Sequence, residues 1–207
     1  MWSISVNVVV QGLLTGLVYG LMALGLSVIF GVVRVVNFAH GELTVVAMYS
    51  AFLLFQTLGL DPLLASIPIA AAFFGLGYLL QSLLINPFVG RPEHEQFILL
   101  VGLNVKRLYA LTFGIGLACV GAAGALMATI ADAAPGLASA YTLLAFTIVI
   151  IGGLGSMAGA LLGGVLIGVS EALAGFFAAP SMKSMFSFGL LIAVLVLRPQ
   201  GLFGRRA

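Results

Sequence analysis

What most constrains this chain is a succession of long apolar runs separated by short polar corners. The first, residues 5–33, contains no charged side chain. A helix rises about 1.5 Å per residue and the hydrocarbon layer of a bilayer is roughly 30 Å thick. A helix over this run is therefore longer than the layer and must tilt or project beyond it. Further apolar runs cover residues 43–59, 62–86, 108–130, 140–151, 157–178 and 184–197. Only 7% of residues are charged, against about 25% in soluble domains, which excludes a soluble core. Inside lipid every backbone N–H and C=O must be satisfied within the protein, so these runs are helices rather than open sheet. The expectation is an all-α polytopic transmembrane bundle, residues 1–207 forming one domain of about seven membrane segments with glycine-rich breaks.

The polar corner between the first two runs, residues 31–42, gathers Arg34, Asn37, His40 and Glu42. Such groups cost several kcal/mol each in hydrocarbon unless they are paired or face water. The corner is either a turn of the chain or the lining of a polar path, so Asn37, His40 and Glu42 are candidates for a translocation path or its mouth. Glu42 opens the second span, where a negative charge suits the positive end of a helix dipole. His40 can donate to a carbonyl freed by the break, and the three side chains are expected to bond one another as well. Glu171, inside the run 157–178, is a fourth candidate, because an unpaired carboxylate there must face the protein interior, water or a partner. No basic residue lies in a neighbouring span, which favours a structural hydrogen bond or a protonated acid near the outer interface over a role in the path.

Glycines supply the packing signal. Gly12, Gly16 and Gly20 recur every four residues and line one face of a helix, which lets another backbone approach closely. The break at Gly152, Gly153 and Gly155 interrupts an apolar run where a helix bends or another backbone passes. It lacks the lysine of a phosphate-binding loop and follows no strand. Cys119, the single cysteine, lies in an apolar run and reads as a packing residue. His40 and His94 are far apart in sequence, so no metal cluster is expected, nor any cofactor or catalytic constellation. The basic residues sit at segment ends and form no patch for nucleic acid.

Charge sets the expected orientation. Seven alternating segments place Arg34, Arg91, Lys106, Arg107, Arg198, Arg205 and Arg206 on one side, and only Lys183, with Asp61 and Asp132, on the other. The positive-inside rule then puts the N-terminus outside, with Trp2 as an interfacial anchor, and the C-terminus in the cytoplasm. Residues 88–107 become a cytoplasmic loop, since their apolar middle, residues 97–103, is too short to cross.

Four motifs in order carry a resemblance: residues 37–42 (Asn-Phe-Ala-His-Gly-Glu), residues 102–107 (Gly-Leu-Asn-Val-Lys-Arg), residues 152–156 (Gly-Gly-Leu-Gly-Ser) and residues 198–204 (Arg-Pro-Gln-Gly-Leu-Phe-Gly). Over nearly its whole length the chain resembles the inner-membrane permease family of branched-chain amino acid ABC importers. That resemblance implies a permease subunit in the bacterial inner membrane. It also implies a second permease, ATP-binding subunits that hydrolyse ATP, and a periplasmic solute-binding protein. Arg91, Asn104, Lys106 and Arg107 become the candidates for facing the ATPase. Members resembling it have further crossings and a coupling segment between the positions of Glu95 and Asn104. Here only residues 96–103 fill that interval, whereas two more crossings need about 40 residues. The chain is therefore expected to be an internally shortened member that binds an ATPase weakly or not at all. A passive or ion-coupled carrier, and a permease-like protein without transport activity, remain the competing readings.

Overall fold

The computed structural model describes residues 2–87 and 104–204. Arg91 and the rest of the polar stretch around it lie outside the described residues, as do Arg205 and Arg206. Seven helices account for most of the described chain: α1 (Trp2–Val33), α2 (His40–Leu58), α3 (Pro62–Leu79), α4 (Val105–Met127), α5 (Ala138–Gly152), α6 (Met157–Phe177) and α7 (Lys183–Leu197). Among the described residues six apolar helical stretches are long enough to cross a membrane, and α7 is a shorter apolar helix. The fold is thus an all-α polytopic bundle, as the hydropathy pattern requires.

Local signals in the sequence set the helix ends. Gly59 closes α2 with φ 66°, and its N–H reaches the Phe55 carbonyl at 2.9 Å, the left-handed cap that glycine adopts without strain. Asp61 caps α3 by accepting from Leu63 N at 2.8 Å, with Pro62 in the first turn. Past Leu79, α3 loosens into a π turn over Leu80–Ile85. That turn buries Gln81, whose Nε2 donates to Asn86 Oδ1 at 3.1 Å, and Asn86 Nδ2 donates to the Lys106 carbonyl at 3.2 Å. These two amides tie the end of α3 to the start of α4. Helix α4 begins at Val105, earlier than its apolar run, because Asn104 caps it by accepting from Arg107 N at 3.2 Å. Lys106 and Arg107 therefore stand in the first turn of α4 and not in the preceding loop.

Helices α1 and α6 form the closest pair, antiparallel and nearly backbone to backbone. A Cβ placed on Gly16 would lie 2.7 Å from Val165 Cα, and one on Gly20 would lie 3.0 Å from the Leu161 carbonyl. Gly164 and Gly168 meet Gly20 and Gly16 from the other side. Lipid offers no hydrophobic drive to associate helices, so this intimacy supplies the dispersion contact that holds them. One core gathers Met22, Leu26, Met48, Ile148 and Ile167 where α1, α2, α5 and α6 meet. A second, around Ile29, Phe73, Phe113 and Leu117, binds α3 and α4 to α1.

Candidate functional site

The corner after α1 begins with strain. Arg34 caps α1, its N–H bonding the Phe30 carbonyl at 3.1 Å, with φ 55°. A side chain at this φ costs about 1 kcal/mol or more, and it is the left-handed turn that ends the helix. The chain then turns back alongside α1, and α2 starts deep in the bundle. His40 is fully buried, and its Nε2 lies 3.1 Å from the Met22 carbonyl of α1. With the proton on Nε2 the ring donates to that carbonyl, and His40 Nδ1 has no partner among the described residues. Thr44 Oγ1 donates to the His40 carbonyl at 2.9 Å.

The next residue locks the corner to α5. Gly41 N donates to Thr142 Oγ1 at 2.9 Å, and Thr142 Oγ1 lies 3.4 Å from the Phe38 carbonyl, which accepts from it. A Cβ on Gly41 would stand 2.6 Å from Thr142 N, so only glycine allows this approach. Asn37 Oδ1 accepts from Ala39 N at 3.1 Å, and Glu42 is exposed. The three polar side chains of the corner do not bond one another. His40 turns inward onto α1 and Glu42, two residues on in the first turn of α2, points outward, while Asn37 lies ahead of the helix and folds onto its own backbone.

The break after α5 and the C-terminal motif are one structure. Gly153 (φ 99°) and Gly155 (φ 79°) turn the chain, and Ser156 caps α6 by accepting from Gly159 N at 3.1 Å. The last carbonyls of a helix have no partner within it. Here Leu202 N donates to the Ile151 carbonyl at 2.8 Å and Phe203 N to the Gly152 carbonyl at 3.0 Å. The tail therefore completes α5. Gly31 lies against Gly155, and Phe30, Arg34, Leu154, Gly155 and Phe203 line a shared cavity of about 700 Å³. Gly152 and Gly159 pack so closely that neither has room for a side chain. Asn104, Lys106 and Arg107 are all exposed.

Glu171 lies at the other end of the bundle. Ser187 Oγ of α7 donates to Glu171 Oε1 at 2.6 Å, and Tyr19 of α1 interacts with the same carboxylate. Lys183, one residue before the apolar run of α7, lines the same cavity as Glu171. A basic group is thus near Glu171 after all. Sequence spacing missed it because α6 and α7 form a hairpin that brings residues 12 apart in the chain to one face. Met22, Thr142, Ser187, Gln81 and Asn86 were also missed. The last four could have been flagged as polar side chains inside apolar runs, whereas Met22 takes part only through its carbonyl and leaves no signal.

The sequence profile of the family described as branched-chain amino acid transport system, permease component, matches residues 8–91 and 93–195. The chain belongs to this family. It is 29% identical over 290 positions to the high-affinity branched-chain amino acid transport system permease protein BraD of Pseudomonas aeruginosa, covering 95% of this chain and 94% of that one. Its identity to the corresponding permease protein LivH of Escherichia coli K12 is 25% over 289 positions, 94% of each chain. A probable LivH from Methanocaldococcus jannaschii is 28% identical over 119 positions, 54% of this chain and 38% of that one. No solved structure matches. The alignment with BraD spans 290 positions, whereas this chain has 207 residues, so that permease carries residues with no counterpart here. The profile match breaks between residues 91 and 93, just ahead of the interval that the motif spacing marks as short. The permease-family motifs at 37–42, 152–156 and 198–204 fall on the corner, the α5–α6 break and the tail.

Proposed function

We propose that this chain is the transmembrane permease subunit of an ABC importer that moves branched-chain amino acids, or a similar small polar solute, across the bacterial inner membrane. The observation that carries this reading is the match of the permease family over 8–91 and 93–195, on a bundle with six helices long enough to cross a membrane. ATP hydrolysis falls to partner subunits, a second permease completes the path, and a periplasmic solute-binding protein delivers and selects the solute. The N-terminus lies outside and the C-terminus in the cytoplasm, following the basic residues.

Asn37, His40 and Glu42 then sit at the cytoplasmic mouth, and exposed Asn104, Lys106 and Arg107 face the ATPase together with Arg91. The glycines at 12, 16, 20, 152, 153 and 155 hold the bundle in the compact form that an alternating path needs. The two buried amides at 81 and 86 keep α3 and α4 joined beside the shortened interval, so the bundle closes without the extra crossings. The test is ATP-driven uptake of labelled leucine into proteoliposomes holding this chain with its co-expressed ATPase, second permease and binding protein. Uptake that requires both ATP and this chain is expected. Equal uptake without ATP would replace the importer reading with a passive carrier.

A further inference from the structure

A cavity of about 270 Å³ opens between the N-terminal half of α1 and the hairpin of α6 and α7, away from the corner and the tail. Its size approaches the lower end of small-molecule sites, roughly 300 Å³. Its chemistry is unlike that of the rest of the bundle. Gln11, Thr15 and Tyr19 reach it from α1, Glu171 from α6, and Lys183 from the start of α7, while Phe176 gives an apolar wall. Two opposite charges share this one space. A Cβ on Gly175 would lie 2.8 Å from Lys183 Cε, so the lysine stem crosses α6 one turn beyond Glu171. Residues four apart share a helix face at about 5–6 Å between Cβ positions. Yet no ion pair joins Glu171 to Lys183 among the described residues.

Glu171 is held in place by hydroxyl groups. Ser187 Oγ donates to Oε1 at 2.6 Å, and the Tyr19 phenol interacts with the same carboxylate. Neither partner is a cation, so a positive group is the missing complement. Lys183 needs the opposite complement, and Gln11 and Thr15 add an amide and a hydroxyl with no hydrogen-bond partner among the described residues. Ionised groups between membrane helices mark ligand paths unless they pair with each other. We propose that this cavity is a binding site for the zwitterion of an α-amino acid with a small apolar side chain. Its ammonium bonds Glu171, its carboxylate bonds Lys183, and its side chain lies on Phe176. The proposal rests on the importer reading for the choice of solute, and it adds a site within the permease itself.

The test reads occupancy, not transport. Val8, on the cavity wall, is replaced by cysteine in a Cys119→Ala background, and the protein is held in nanodiscs of phosphatidylglycerol and phosphatidylcholine. Leucine is expected to slow maleimide labelling of position 8 about tenfold at ten times its dissociation constant. Leucinol, which lacks the carboxylate, and isocaproate, which lacks the ammonium, should protect little. Glu171→Gln and Lys183→Gln should each remove the leucine effect, with unchanged elution from size exclusion as the control for folding. Absence of protection, equal protection by all three compounds, or protection that survives both substitutions would overturn the proposal. So would protection that appears only with phosphatidylethanolamine in the disc, which would assign the site to a lipid headgroup. Protection without ATP-driven uptake would sink the importer reading and keep the site; uptake without protection would do the reverse.

Discussion

The α1–α6 contact makes a sharp quantitative prediction. A methyl on Gly16 would lie 2.7 Å from Val165 Cα and 2.9 Å from the Gly164 carbonyl, both backbone atoms that cannot swing aside. Carbon pairs are comfortable at 3.5–4.0 Å, so the helices must part by about 0.8 Å, enough to forfeit a quarter to a half of each dispersion well. If on the order of 20 atom pairs at 0.1–0.2 kcal/mol each span the stripe, the loss is about 0.5–2 kcal/mol. Measured overpacking costs are similar, about 1–3 kcal/mol. Alanine is also a better helix former than glycine by up to about 1 kcal/mol, which opposes the loss. The expected net effect of Gly16→Ala is a destabilisation of about 0–2 kcal/mol, always less favourable than the same change where the methyl meets nothing.

Gly75 in α3 is the internal control, because a Cβ there meets nothing within 4 Å. Gly75→Ala makes the same chemical change and keeps only the propensity gain, so it should be neutral or stabilising by up to about 1 kcal/mol. Thermal denaturation in detergent, followed by the monodisperse fraction on size exclusion, separates the two at roughly 2–4 °C per kcal/mol. Equal stability of the two variants, or greater damage from Gly75→Ala, would show that the close approach of α1 and α6 contributes no stability.

Gly41→Ala drives a methyl to within 2.6 Å of Thr142 N, so it should lower membrane abundance, and a normal level would remove the corner–α5 lock from the account. His40→Gln keeps a donor for the Met22 carbonyl and removes titration. Near-normal abundance and uptake are expected, and loss of uptake at normal abundance would point to a direct role in the path. Cysteine placed at Lys183 in a Cys119→Ala background should react with impermeant maleimide from outside; labelling only from the cytoplasmic side would invert the proposed orientation. Exposed ion pairs contribute at most about 1 kcal/mol each and a stable interface needs roughly 1,000 Å². The shortened face proposed to lie in the cytoplasm should therefore retain the ATP-binding subunit only weakly in detergent, and a stoichiometric complex that survives washing would refute that.

Hydropathy alone determined the class and roughly where each helix runs, because a bilayer rewards one pattern: apolar length without charge. The caps at Asp61, Asn104 and Ser156 were equally local, since each side chain bonds a backbone N–H within three residues of itself. The glycine spacing at 12, 16 and 20 marked a packing face but not its partner; only the folded bundle paired it with α6. Tertiary structure also decided everything that joins distant residues. The tail completes α5 through backbone N–H groups at 202 and 203, which no side chain announces. His40 meets a carbonyl of α1 because α2 starts deep beside it. Glu171 shares a cavity with Lys183 because α6 and α7 fold back on each other. A backbone donor and a charge brought near by a hairpin leave no periodic trace in the chain, so the polar interior became legible only once the helices were packed.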